Sequence, residues 1–303
     1  MELRHLRCLI AVAEEGHITR AAERLGMAQP ALSRVIKTIE QEIDLRLFRR
    51  VSRGVELTGA GRSLLDGART TFANLDRALE SARRSARGEE GRISVAFTGS
   101  AALHPLVPDV IREFRKTFPL VSVSLAEGHP ADLIERIESD RLDAAFVRVK
   151  SSRKHGVVFH PLLEEPLVVA LPKDHKLARS PTRAVLPLKG LSDETFVINS
   201  RQGARSAIPE AVFPAFHAAG FSPHIQEAPR LTSTLPLVAA GIGIAIVPAS
   251  LRDMNVRGVV YRRLAASTPL KTSINLASRR GDTSAVVRQF VSLVRRRANN
   301  AKS

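Results

Sequence analysis

The chain has 303 residues, enough for two or three compact units of roughly 100–200 residues each, with 44% hydrophobic residues but one Tyr and no Trp. A single cysteine, Cys8, excludes an intramolecular disulfide, and no apolar run approaches the ~18 residues needed to cross a membrane. Net charge is +16, and its placement is uneven: residues 1–91 hold 16 Lys/Arg against 13 Asp/Glu, residues 92–303 hold 30 against 17. That surplus suits an anionic ligand or DNA, or else arginines scattered over solvated faces.

The opening MELRHLRCLIAVAEEGH is charged and amphipathic, without the basic, apolar and small order of a secretory signal. Cys8, among Leu6, Leu9, Ile10 and Val12, reads as core filling. Ile18, Ala21, Ala22 and Leu25 fall on one face of a short helix that Gly26 breaks. A second helix opens at Gln29-Pro30, where a proline's missing N–H costs nothing. On it Leu32, Ile36 and Ile39 face a core, while Gln29, Ser33, Arg34 and Lys37 point outward. Two short helices joined by a glycine turn make a helix-turn-helix, and Val51–Leu57 around Arg53-Gly54 reads as a β-wing.

Across 59–89, Leu65, Ala68, Phe72, Leu75, Leu79, Ala82 and Ala86 alternate spacings of three and four, the seam of a coiled coil. A polar helix with one narrow apolar stripe needs a partner helix, so 59–89 is expected to dimerise, Leu65, Phe72, Leu75 and Leu79 lying in the seam. The alternative is a helix lying on its own domain. After Gly88–Gly91 the pattern changes to strand 92–97, helix 103–118, strand 121–125, helix 131–139 and strand 144–149. This β-α-β-α-β order implies a parallel sheet covered by helices. A second set follows: strands 167–171 and 195–199, helices 208–219 and 231–240, strand 244–247, helix 249–254 and strand 259–263. Residues 271–277 read as a strand returning to the first set, and 285–297 as a closing helix.

Over residues 3–62 the ordered marks Ala21-Ala22, Leu25, Gln29-Pro30-Ala31-Leu32-Ser33, Ile36, Glu40, Leu47-Phe48, Arg50, Arg53-Gly54, Leu57-Thr58 and Gly61 resemble the LysR-type transcriptional regulators. The two α/β sets are similar to the periplasmic-binding-protein fold of that family's effector domain. The fold expected is therefore α/β with an all-α N-terminal part: a winged helix-turn-helix (1–58), a linker and dimerisation helix (59–89) and a two-lobed effector domain (92–303). Lobe I would take about 92–163 and 267–303, lobe II about 164–266. MELRHLR, Phe97–Ser100, Arg148 with Lys150, Val238–Gly241 and Val247–Ser250 resemble the subgroup controlling aromatic-compound catabolism, implying aromatic or muconate-like effectors.

Resemblance and exposure together assign Gln29, Ser33 and Arg34 to base reading, beside Pro30, because Gln suits adenine, Arg suits guanine and Ser suits either base or phosphate. Lys37 and Arg4 would contact phosphates, and Arg53 would enter a narrow minor groove. His17 departs from the small hydroxyl residue common before the first helix, so capping is expected to be weaker there. For an effector, loops at strand C-termini offer Thr98, Gly99, Ser100, His129 and Arg148 from one lobe. Asn199, Ser200, Arg201 and Gln202 face them from the other. Glu164-Glu165 and Glu89-Glu90 read as solvated loop acids.

No nucleophile elbow, phosphate loop or H-x-x-x-H spacing appears, so neither a catalytic nor a metal site is expected and no cofactor. The partners implied are double-stranded promoter DNA, a small carboxylate effector, RNA polymerase, and further copies of the chain forming a dimer and then a tetramer. The expected location is cytoplasmic, away from the membrane. The rival readings are an architectural DNA binder without a ligand and a transporter's solute-binding protein.

Overall fold

The computed structural model describes residues 1–149, 156–179, 185–199 and 207–300, in two compact units, 1–83 and 84–303. In the first, α1 (Leu3–Glu15), α2 (Ile18–Leu25) and α3 (Gln29–Ile43) enclose Leu9, Val12, Ala21, Ala22, Leu32, Ile36 and Ile39. Cys8 lies in the same core, and burial pushes its thiol up, away from the reactive thiolate. Gly16 and Gly26 end α1 and α2 in the left-handed region. Leu25, expected on the buried face of α2, is exposed beside that turn, so Ala21 and Ala22 carry the helix's packing. His17 makes no side-chain cap to α2, as its replacement of a hydroxyl residue implied.

The wing is the antiparallel pair β1 (Phe48–Val51) and β2 (Gly54–Leu57), turned by Ser52-Arg53. It begins three residues earlier than the sequence suggested. Buried Glu40 explains the start: its carboxylate accepts the N–H groups of Leu47 (2.7 Å) and Phe48 (3.2 Å) and pairs with Arg46 (3.0 Å), tying α3 to the first strand. The Val55 N–H donates to the Gly16 carbonyl at 2.8 Å. Gly54, at φ +129°, lies so close to Gly16 and the His17 ring that a side chain there would collide with both.

α4 (Gly59–Arg87) is one continuous helix of 29 residues, ~43 Å long at 1.5 Å per residue. Its stripe divides. Leu65 and Ala68 are buried; Ala68 and Phe72 pack into the core of α1–α3, and Arg7 lies over the Phe72 ring. Leu75 is half-buried, whereas Leu79 (49% exposed), Ala82 and Ala86 are open. The N-terminal half of the seam therefore serves the helix's own unit, and only the half from Leu75 onward is left for another helix. A regular heptad spacing cannot distinguish those two uses.

In the second unit, β3 (Glu90–Phe97) is followed by α5 (Gly99–Ala102), α6 (Leu106–Thr117), β4 (Leu120–Glu127), α7 (Pro130–Glu138) and β5 (Ala144–Val147). β3 pairs in parallel with β4 and β5, as the β-α-β-α-β order required. The helix expected over 103–118 is α6, which starts at Leu106 just after Pro105, whose missing N–H suits a helix start. β6 (Val157–Pro172) then runs through both lobes. Its residues 157–166 pair with β12, and its residues 167–172 pair with β10 and β11. Only the second half had a readable strand pattern, because the first half is interrupted by Pro161 and the Glu164-Glu165-Pro166 run.

Lobe II continues with α8 (Lys176–Arg179), β7 (Val185–Leu186), a 3-10 turn at Leu188–Leu191, β8 (Thr195–Ile198), α9 (Ala207–Ala218), β9 (His224–Glu227) and α10 (Leu231–Ala239). β10 (Ala245–Pro248), a 3-10 helix (Ala249–Met254) and β11 (Val259–Leu264) complete it. Gly243 allows Ile244, just before β10, to bridge Phe196 of β8, because a Cβ at Gly243 would strike the Thr195 carbonyl. Gly241, at φ +80°, turns the chain out of α10, the role its spacing indicated. β12 (Lys271–Arg279) returns to lobe I between β5 and β6, and α11 (Ala285–Asn300) closes the chain, packing Phe290 against Phe114 and Phe146.

Candidate functional site

Helix α3 buries Leu32, Ile36 and Ile39 and thereby turns Gln29, Arg34 and Lys37 to the exterior. Ser33 is half-buried, and the Gln29 Nε2 donates to its hydroxyl at 2.9 Å, fixing two of the expected base-reading groups relative to each other. Among the described residues no carboxylate pairs with Arg34, Lys37 or Arg53, so three cations face outward from α3 and the wing tip. Arg4 differs: it is paired with Glu2 at 3.0 Å, an exposed contact of small energy that a phosphate could displace.

In the second unit a cavity of about 610 Å³ opens between the lobes. Thr98, Gly99, Ser100, His129 and Arg148 reach it from lobe I and Asn199 from lobe II, so six of the residues expected at the effector site share one cavity. Ser200, Arg201 and Gln202 lie outside the described residues. Phe196, Ile198, Val212 and Leu231 supply apolar walls beyond the polar loops expected from the sequence. Glu127, at the end of β4, and Arg230, just before α10, also line the cavity and were not among the expected site residues. Glu127 lies just before the loop that carries His129, a position the sequence made readable, whereas Arg230 follows β9, whose exposed side chains left no strand pattern.

Arg148 does not offer a free charge. It is 2% exposed, and its Nη2 donates to the Glu165 carboxylate at 2.6 Å and to the Ser100 carbonyl at 3.2 Å. The other Glu165 oxygen accepts the Ser250 N–H at 2.5 Å. Glu165, expected to be solvated, is 4% exposed in the middle of β6. Glu89 and Glu90 are likewise paired, with Arg87 and Arg84. Burial alone would raise the Glu165 carboxyl, but Arg148 and the Ser250 N–H outweigh it and hold the group below the usual glutamate range. Burial lowers the Arg148 guanidinium from its ordinary value, yet a guanidinium stays cationic at neutral pH. The pair joins β5, α5, β6 and the 3-10 helix after β10 beside the cavity. Nε and Nη1 of Arg148 and the Thr98 hydroxyl are buried without a protein partner, leaving hydrogen-bonding capacity at the cavity wall.

A winged helix-turn-helix, a long helix and a two-lobed α/β body with a cleft define a DNA-binding regulator with a ligand-binding domain. Two family models match: the bacterial regulatory helix-turn-helix protein of the lysR family over residues 3–62, and the LysR substrate binding domain over residues 86–299. The chain is 36% identical to the HTH-type transcriptional regulator BudR of Raoultella terrigena, covering 97% of this chain and all of that protein. With CatR of Pseudomonas putida it shares 35%, covering 98% and 100%. The crystal structure of full-length CbnR complexed with its target DNA superposes with a TM-score of 0.84 at 28% identity, over 98% of this chain and 100% of that one. The chain belongs to the LysR family of transcriptional regulators. Its relatives are regulators rather than enzymes, which sets aside the solute-binding reading, and no helix among the described residues is long and apolar enough to cross a membrane.

Proposed function

We propose that this regulator reads promoter DNA through Gln29, Ser33 and Arg34, supported by Pro30, with Lys37 and Arg4 on phosphates and Arg53 in the minor groove. A small carboxylate bound between the lobes controls it. The working parts are the head (1–58), the dimerising helix (59–89) and the effector body (92–303), assembled as a tetramer of two dimers in the cytoplasm and acting on RNA polymerase at the promoter. The observation that carries the effector reading is the inter-lobe cavity with unpartnered Thr98 and Arg148 donors in its wall. The sequence's likeness to the aromatic-catabolism subgroup makes aromatic and muconate-like acids the first candidates. An effector acts only through unequal affinity for two arrangements of the protein.

Thr98→Val keeps the side chain's shape and removes the hydroxyl; Ser100→Ala removes its neighbour. Each is expected to weaken a bound acid by roughly tenfold, the scale of one lost hydrogen bond. Calorimetry on the full-length protein reads this directly, and unchanged affinity in both variants would place the site elsewhere. Arg148 is a poor test residue, because replacing it strands Glu165.

Dimerisation is assigned to the open half of α4. Leu75→Asp with Leu79→Asp would bury charge without a partner, and sedimentation should show smaller species with weakened operator binding. Retention of the wild-type assembly would mean that another surface holds the chains together.

A further inference from the structure

The cavity carries two charges of opposite sign, one from each lobe, that no described residue pairs with. Glu127 ends β4 in lobe I, and its Oε1 lies 2.7 Å from the point where a Gly99 side chain would begin, directly over the first turn after β3. It is exposed, and no described residue donates to it or pairs with it. Arg230 stands at the start of α10 in lobe II. Its backbone N–H is bound by the Ser233 hydroxyl at 3.2 Å, and its guanidinium has no carboxylate among the described residues. Both line the same cavity, with Phe196, Ile198, Val212 and Leu231 forming apolar wall.

A simple acid would satisfy only one of these groups. Its carboxylate would gain from Arg230, but a second anionic end against Glu127 would meet repulsion, strengthened where the closing lobes exclude water. A ligand with an ammonium group beside its carboxylate satisfies both. We infer that the effector is an amino acid with an apolar side chain, its carboxylate held by Arg230, its ammonium by Glu127 and its side chain against the apolar wall. This rests on the reading that the cleft is the effector site and departs from the muconate-like candidates, whose second carboxylate offers Glu127 no cation. It also gives the ligand a means of acting, because Glu127 belongs to lobe I and Arg230 to lobe II, and one amino-acid head group paired with both favours the arrangement that brings the two side chains to it.

The test is a calorimetric comparison on the full-length protein of the twenty amino acids, with two matched acids that lack the amino group: 4-methylpentanoate beside leucine and 3-phenylpropanoate beside phenylalanine. An apolar amino acid should bind at least tenfold more tightly than its matched acid. Glu127→Gln should abolish that preference, while Arg230→Gln should weaken amino acid and matched acid alike. Both side chains are exposed, so neither change threatens the fold. Equal or tighter binding of the matched acids, or a preference that survives Glu127→Gln, would overturn the assignment while leaving the cleft as the effector site. Failure of all twenty amino acids to bind would overturn it too. The Thr98 and Ser100 variants with other carboxylates would then judge the cleft separately.

Discussion

Glu165→Leu is expected to destabilise the effector body by about 3–5 kcal/mol, because it leaves the Arg148 guanidinium buried without its counter-ion. The double replacement Arg148→Met with Glu165→Leu should recover much of that loss, since two apolar side chains of similar volume strand no charge. Denaturant unfolding of both variants measures the difference, and a Glu165→Leu variant as stable as wild type would show that the pair contributes little. The same pair gives a pH dependence. Glu165 titrates below its unfolded value, so the unfolded chain binds the proton more readily. Its contribution is present above the ordinary glutamate range and fades as pH falls through the depressed folded value. Stability should therefore drop on acidification, more steeply in wild type than in the double variant.

Gln29→Ala and Arg34→Ala are each expected to remove about 1–3 kcal/mol of discrimination at one base position. For Gln29 the hydrogen bond to Ser33 adds a second effect: removing the amide frees the Ser33 hydroxyl to rotate, so preference at a neighbouring position should also blur. Lys37→Ala should instead weaken specific and random DNA equally and flatten the salt dependence, as a phosphate contact does. Binding titrations of each variant on operator and random duplexes separate the two behaviours. Wild-type affinities for both duplexes in the Gln29 and Arg34 variants would remove these residues from base reading.

The head was legible because each of its parts has a local cause: Gly26 stops α2, Pro30 fits the first turn of α3, and Leu32, Ile36 and Ile39 keep helical spacing. The alternating lobes were legible from strand and helix periods for the same reason. What escaped were features set by distant packing. Nothing local in Glu164-Glu165 distinguishes the solvated carboxylate from the one that β5 and the turn after β10 enclose. Arg148 lines the cavity, but its ion pair was not legible, because its partner lies 17 residues away on a strand whose first half had no clear pattern. The stripe on α4 was seen whole, yet Ala68 and Phe72 meet the core of α1–α3 while Leu79 does not. Strand β9 (His224–Glu227) was missed because all four of its side chains are exposed, leaving no alternation to detect.

The most direct test of the account is an operator-binding titration of the full-length protein on DNA from its own upstream region, repeated at saturating concentration of whichever acid the calorimetry identifies. Binding to that DNA should be at least ~10³-fold tighter than to random duplex at the same salt. The acid should also change operator affinity or the length of protected DNA, and operator DNA should change the acid's affinity by the same factor as the acid changes the operator's. Equal affinity for both duplexes, or an acid that binds the cleft and leaves the operator complex unaltered, would contradict a ligand-controlled regulator.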